Sequence, residues 1–228
     1  MTSPAPHFRI TPRHAAIAAA LCWAGFALVS WLVWSGRSGD LDRLGLLFWR
    51  DVDLRPLGPP GLLEPVRDLT ALGGVLLRSL AALAALAALL FVRARREAAL
   101  LVLTILGGWI ADSAVKGLVG RARPQIVPHL TEAGGMSFPS GHSFNAALVY
   151  IAIALAFAAM SPRRAIRWTL IGAAMALSLA IALSRVWLGV HWPSDAVAGW
   201  LGGAGWAFAA SALLNRPAKG LAGELPET

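Results

Sequence analysis

Residues 15–34 read AAIAAALCWAGFALVSWLVW, twenty residues without a charge. A helix needs about 20 mostly apolar residues to cross the hydrocarbon core of a bilayer. Arg9 and Arg13 precede this run as they would precede the apolar stretch of a secretory leader. The run is too long for that, and no small-x-small cleavage site follows it, so it reads as a retained helix. Five more runs of the same character follow, at 71–92, 98–118, 143–160, 166–183 and 196–214. The expected fold class is therefore all-α, a polytopic membrane protein with six transmembrane helices.

Composition points the same way. AVILMFWYC make up 57% of the 228 residues before the 23 glycines are counted. Soluble domains reach roughly 45–50% with glycine included. Charged residues are 14%, against about 25% in an ordinary soluble chain. This excludes a disordered protein, a small disulfide scaffold and a nucleic-acid-binding domain. Cys22 is the single cysteine, so neither an intrachain disulfide nor a cysteine metal cluster can form.

The net charge of +8 has a pattern. With six spans, four segments share one side: the N-terminal tail, the loops after the second and fourth spans, and the C-terminal tail. They hold Arg9, Arg13, Arg93, Arg95, Arg96, Arg163, Arg164, Arg167, Arg216 and Lys219. The excess of basic residues assigns that side to the cytoplasm. The expected organisation is a cytoplasmic tail over 1–14, one membrane domain over 15–214 and a second cytoplasmic tail over 215–228. The segment 35–70 carries five arginines and six acids with Pro56, Pro59, Pro60 and Pro65. It reads as an ordered extracytoplasmic cap. Four other outside cations, Lys116, Arg121, Arg123 and Arg185, break the orientation rule and need a reason of their own. Arg78, inside the second span, is expected to snorkel to the headgroups. Ser79–Phe91, SLAALAALAALLF, and the pair Gly199 and Gly203 are expected to pack closely against neighbouring helices.

Three polar clusters fall at the outer ends of the spans. The first, within DSAVKGLVGRARP (112–124), holds Asp112, Lys116, Arg123 and Pro124. Lys116 and Arg123 lie two turns apart and share a face if the helix persists. With eighteen arginines and two lysines in the chain, a lysine here suggests a need for a compact point charge. Asp112 lies one turn away as its charge partner or in a direct role. The second cluster is Phe138-Pro139-Ser140-Gly141-His142, at the start of the 143–160 span. Free N–H groups at a helix start bind anions, and a histidine transfers protons near neutral pH. The third runs from Ser184 and Arg185 to His191 and Asp195. A helical start would bring His191 and Asp195, four apart, within hydrogen-bond reach. Ionisable groups at such depths are costly and functional as a rule. Three cations, a backbone anion site and two histidines, one beside a carboxylate, suit phosphoryl transfer through a histidine nucleophile.

Lys116-x6-Arg123-Pro124, Pro139-Ser140-Gly141-His142 and Ser184-Arg185-x5-His191-x3-Asp195 together resemble the complete signature of the type 2 phosphatidic acid phosphatase (PAP2) superfamily. The motifs span 116–195, and the six-helix pattern extends the resemblance over most of the chain. The resemblance implies a PAP2-type helical core with no cofactor or metal. It implies His191 as nucleophile, Asp195 as its orienting partner and His142 as general acid. Lys116, Arg123, Ser140, Gly141, His142 and Arg185 would hold the phosphate.

The same signature occurs in soluble phosphatases and haloperoxidases, which need no membrane spans. A non-catalytic lipid-binding protein would not need the nucleophile, acid and carboxylate together. A transporter would carry its charges near the midplane. The expected partner is a lipid phosphate within the membrane: phosphatidic acid, phosphatidylglycerol phosphate, undecaprenyl diphosphate or a lipid A phosphate. The expected location is a bacterial plasma membrane, with the site on the periplasmic or extracellular side.

Overall fold

A computed structural model describes residues 11–214. The tails 1–10 and 215–228, with Arg9, Arg216 and Lys219, lie outside the described residues. Eight helices run in order: α1 (Pro12–Trp34), α2 (Gly39–Leu47), α3 (Leu63–Ala71), α4 (Val75–Phe91), α5 (Arg95–Val119), α6 (Gly141–Ala158), α7 (Arg164–Trp187) and α8 (Pro193–Leu214). Five of them, α1, α5, α6, α7 and α8, are long and apolar enough to cross a membrane. Helices α3 and α4 bend by 49° at the break between them and form a sixth span if taken as one. The protein is thus the all-helical polytopic membrane protein that the apolar runs predict, with its second span broken at Leu72–Gly74.

Helix α6 is the centre of the bundle. It packs on α7, α8 and α5, while α1 lies along the far side of α8. The contact with α8 is made backbone to backbone. A Cβ on Gly199 would sit 2.6 Å from the Ser140 carbonyl, and one on Gly203 would run into the carbonyl of Phe144. This is the close approach expected of the Gly199–Gly203 pair, and in lipid it is van der Waals packing of this kind that joins helices. The expectation for Ser79–Phe91 holds for one face, where Ala82, Ala85, Leu86 and Leu89 pack into the core, and not for the rest. Of α4, Ala85 and Leu89 are buried, whereas Leu80, Leu83, Leu90 and Phe91 are exposed. The helix is peripheral, and an apolar side chain facing lipid loses nothing by staying there.

The 35–70 segment is an ordered cap on one end of the bundle. The Asp42 carboxylate of α2, 2% exposed, accepts the Ser194 N–H at 2.8 Å and caps the first turn of α8. Arg50 Nη2 donates to the Trp187 carbonyl at 2.8 Å, and Trp187 Nε1 donates back to Leu57 O at 3.1 Å. Arg67 Nε and Nη2 donate to Leu130 O at 2.9 and 2.7 Å. The cap therefore holds the third sequence cluster itself, at Trp187 and Ser194, and the loop before α6 at Leu130.

The α6–α8 contact has a direct test. Gly203→Ala should lower the thermal midpoint of the detergent-solubilised protein by the equivalent of about 1–3 kcal/mol, the range for overpacking a tight interior. Gly172→Ala, with no atom near its added Cβ, should leave the midpoint unchanged or raise it. Equal midpoints for the two variants would contradict the described contact.

Candidate active site

The third cluster folds into a turn between α7 and α8. Gly189, with φ +78°, reverses the chain there; a Cβ would meet the Pro128 carbonyl at 2.7 Å. Pro193 opens α8, and Asp195, in its first turn, reaches back to accept the Trp192 N–H at 3.0 Å. That is the reciprocal half of a capping box. It leaves His191 just ahead of the helix, 2% exposed, above the carboxylate.

The imidazole is held from both ends. Nδ1 lies 3.6 Å from Asp195 Oδ2. Ser137 fills the gap: its hydroxyl donates to Oδ2 at 2.5 Å and stands 3.3 Å from Nδ1, which can donate to it. Nε2 points the other way and accepts from Arg123 Nη1 at 2.9 Å. Asp195 Oδ1 takes Arg121 Nη1 at 2.7 Å, and Arg121 Nη2 pairs with Asp42 at 2.6 Å. Burial pushes the His191 imidazole down from its ordinary value to about 4; Arg123 and Arg185 add to the shift and Asp195 opposes it. The ring is therefore neutral at pH 7. With its proton on Nδ1, it keeps a lone pair on Nε2.

The cations gather around this ring by routes that differ from the expected one. Helix α5 ends at Val119 because Gly120 turns left-handed, φ 61°. The shared helical face expected for Lys116 and Arg123 is therefore corrected: Arg123 reaches in from the loop beyond. It is anchored by the carbonyls of Gly134, Gly135 and Val190 at 2.7, 3.1 and 2.8 Å. Lys116 stays on α5, 3.4 Å from Asp112. Its ammonium lies so close to α6 that a Cβ on Gly141 would run into it. Asn145 donates to Asp112 Oδ2 at 3.0 Å and to the Gly141 carbonyl at 2.9 Å. Asp112 is thus the charge partner of Lys116. Arg185 is 2% exposed and donates to Thr70 Oγ1 at 3.0 Å; its Nε is buried without a partner.

At the start of α6, Ser140 is the N-cap. Its hydroxyl accepts from Ser143 Oγ at 2.8 Å, and its N–H donates to the Asp195 carbonyl at 3.0 Å. With Ser140 used in this way, the N–H groups of Gly141 and His142 are the ones a helix start leaves open. The His142 imidazole takes no hydrogen bond among the described residues and lies against the α3–α4 break. A Cβ on Gly74 would stand 3.9 Å from its Nε2, and one on Gly73 would stand 3.4 Å from its Cδ2. The structure thus brings Lys116, Arg123, Ser140, Gly141, His142, Arg185, His191 and Asp195 to one end of the bundle, beneath the cap.

Residues absent from the three motifs complete the arrangement. Arg121 had a visible signal, since it breaks the orientation rule along with the motif cations. Ser137 and Thr70 had none, being single hydroxyls in irregular or helix-end positions. Arg78 does not snorkel. Its Nη1 donates to the Gly73 carbonyl at 3.1 Å, its guanidinium lies 5.9 Å from the Trp109 ring centre, and its Nε is buried without a partner. Chemically, the site combines a neutral imidazole whose Nε2 lone pair faces Arg123, a carboxylate behind it, and several cations and open N–H groups in front. That set can hold a tetrahedral oxyanion against a nucleophile.

A model of the PAP2 superfamily matches residues 96–218. Phosphatidylglycerophosphatase B of Bacillus subtilis (strain 168) is 32% identical over 119 residues, 50% of this chain and 56% of that protein. A lipid A 1-phosphatase of Rhizobium etli is 31% identical over 112 residues, 45% of this chain and 44% of that protein. The chain spans about half the length of the curated relatives it matches. The crystal structure of a transmembrane PAP2-type phosphatidylglycerolphosphate phosphatase from Bacillus subtilis superposes with a TM-score of 0.71. The match covers 84% of this chain and 93% of that one at 23% identity.

The neutral state of His191 can be read by NMR titration in detergent, with His191→Gln identifying the signal. As pH falls the ring should stay neutral through the ordinary histidine range of about 6.5 and take up its proton near the lowered value of about 4. Protonation at the ordinary value would contradict the described burial.

Proposed function

Because the chain belongs to the PAP2 superfamily, we propose that it is a membrane phosphatase. In this reading it removes the terminal phosphate of a lipid phosphate or diphosphate through a phosphohistidine. The observation that carries the proposal is the buried His191, neutral, backed through Ser137 by Asp195, with Nε2 facing Arg123.

The reaction runs in two displacements. With phosphate bound, Arg123 Nη1 donates to a phosphoryl oxygen in place of Nε2; the freed lone pair of His191 Nε2 attacks phosphorus, and the bond to the lipid oxygen breaks in line with it. The positive charge that develops on the ring is stabilised by the Asp195 carboxylate. Lys116, Arg123, Arg185 and the N–H groups of Gly141 and His142 take up charge on the equatorial oxygens. Ser140 sets the start of α6 so that those N–H groups stay open. His142 protonates the departing oxygen, then accepts a proton from the water that attacks the phosphohistidine. Orthophosphate leaves and His191 is regenerated. Three cations supply the positive charge a metal would otherwise bring, so turnover should need none.

The names of the relatives supply two candidate substrates, phosphatidylglycerol phosphate and a lipid A phosphate; phosphatidic acid and undecaprenyl diphosphate are the other lipid phosphates that a site within the membrane suits. A non-catalytic or transport role is less well supported, because the ionisable groups gather at one end of the bundle, away from the midplane. The distribution of basic residues supports cytoplasmic termini, a plasma-membrane location and a site on the periplasmic or extracellular face.

Purified protein given this lipid panel should release phosphate in the presence of a strong chelator. His191→Ala should lose at least ~10³-fold in turnover, on the scale of removing a catalytic nucleophile, while keeping its thermal midpoint. A variant retaining a tenth of wild-type activity would remove His191 from the role.

Sidedness is tested in a Cys22→Ala background. A cysteine at Glu132 should react with a membrane-impermeant maleimide in cells with a permeable outer barrier. One at Arg164 should react only after lysis. The reverse pattern would put the chemistry in the cytoplasm.

A further inference from the structure

Arg78 sits on α4, four residues beyond the Gly74 N-cap, and is not part of the PAP2 motifs. A half-buried guanidinium near the start of a membrane helix is retained where something offsets its charge. What offsets it in the protein is incomplete. One carbonyl, Gly73 O, accepts from Nη1 at 3.1 Å, and the Trp109 ring lies 5.9 Å away. Among the described residues no carboxylate pairs with Arg78, and its Nε is buried without an acceptor. Asp112 offsets part of that charge from beyond ion-pair distance, and the orphan donor, with the charge left over, asks for an anion.

Position says which anion. Arg123 stands on the nucleophile, 2.9 Å from His191 Nε2. Arg78 stands on the acid instead: its Nη1 is tied to Gly73, and Gly73–Gly74 is the surface against which the His142 ring lies. Its charge, with those of Arg185 and Lys116, acts on that imidazole. The same break begins α4 with a glycine N-cap that has no side chain to offer, so the first-turn N–H groups add to the positive field there. In an in-line displacement the leaving oxygen lies opposite the nucleophile. If His142 serves the departing oxygen, Arg78 lies where the rest of the leaving group must go.

We infer that Arg78 binds a second phosphorus anion within the leaving group, and that the site is built for lipids that carry one. Phosphatidic acid does not. Its P–O bond breaks, the oxygen takes a proton from His142, and a neutral diacylglycerol departs. A lipid diphosphate does: the bridging P–O bond to the terminal phosphorus breaks and the lipid monophosphate leaves with that electron pair, still anionic. Phosphatidylglycerol phosphate also does, since the alcohol it releases keeps a phosphodiester three carbons away. This inference rests on the phosphatase reading above and narrows its substrate class.

The test compares wild type, Arg78→Gln and Arg78→Lys on a polyprenyl diphosphate, phosphatidylglycerol phosphate and phosphatidic acid in mixed micelles. Arg78→Gln should lose about tenfold or more in kcat/KM on a lipid with a leaving-group anion and less than about threefold on phosphatidic acid, the scale of one charge-assisted hydrogen bond. Arg78→Lys should recover part of the loss. A loss confined to the diphosphate places Arg78 on the adjacent phosphate, and one confined to phosphatidylglycerol phosphate places it on the phosphodiester. Either outcome supports the inference. Equal losses on all three lipids, or none on the first two, would overturn it. A binding arm does not depend on turnover or on the Arg78 variants folding: by calorimetry, His191→Ala protein should bind inorganic diphosphate about tenfold or more tighter than orthophosphate. Equal affinities would count against Arg78. Wild type cleaving none of the three lipids, or His191→Ala remaining active, would instead sink the phosphatase reading, leaving the binding comparison to decide Arg78 separately.

Discussion

The Asp195 carboxylate ties three parts of this protein to one point. A charge buried without partners is strongly unfavourable, and this one, 0% exposed, is surrounded by donors from three places. Ser137 comes from the loop before α6, Trp192 from its own helix start and Arg121 from the loop after α5. The backbone of the same residue receives the Ser140 N–H, which fixes where α6 begins relative to α8. The two helix starts that form the candidate site are thereby set against each other by one residue.

Arg121 carries the constraint into the cap. It binds Asp195 with one nitrogen and Asp42 with another, and Asp42 in turn caps α8. An arginine fork suits this bridging task better than an ammonium would. The cap is therefore coupled to the candidate nucleophile through three charged side chains, and its folded state and that of the site depend on one another.

Much of this was legible from the chain. Long apolar runs indicated the number of spans, because a bilayer imposes one length on every span, while the short cap helix α2 and the break between α3 and α4 left no such mark. The motif residues stood out because polar side chains at span ends have few bland explanations, and Lys116 because the chain otherwise uses arginine. What escaped was what depends on the path of loops. Gly120 ends α5 early, so helical spacing misplaced Arg123. Ser137 stands between His191 and Asp195 only because the 134–140 segment returns to them. Arg78 looked like a snorkelling cation until the break at Gly73–Gly74 gave its Nη1 a carbonyl and turned its Nε inward. The alanine-rich face of α4 looked like a packing surface, yet nothing in its sequence says whether lipid or protein lies opposite.

Two arginines separated by a single alanine meet opposite fates. Arg121 has its charge consumed by two carboxylates, whereas Arg123 is held by the carbonyls of Gly134, Gly135 and Val190. Carbonyls are dipoles and orient a cation without cancelling it, so Arg123, offset in part by Asp195 behind the ring, keeps charge to act on whatever stands before His191. They also belong to the main chain. The exposed side chains of Glu132 and Met136 consequently have no part in this hold, which depends on the turn at Gly135, φ 70°, keeping the backbone on its present course.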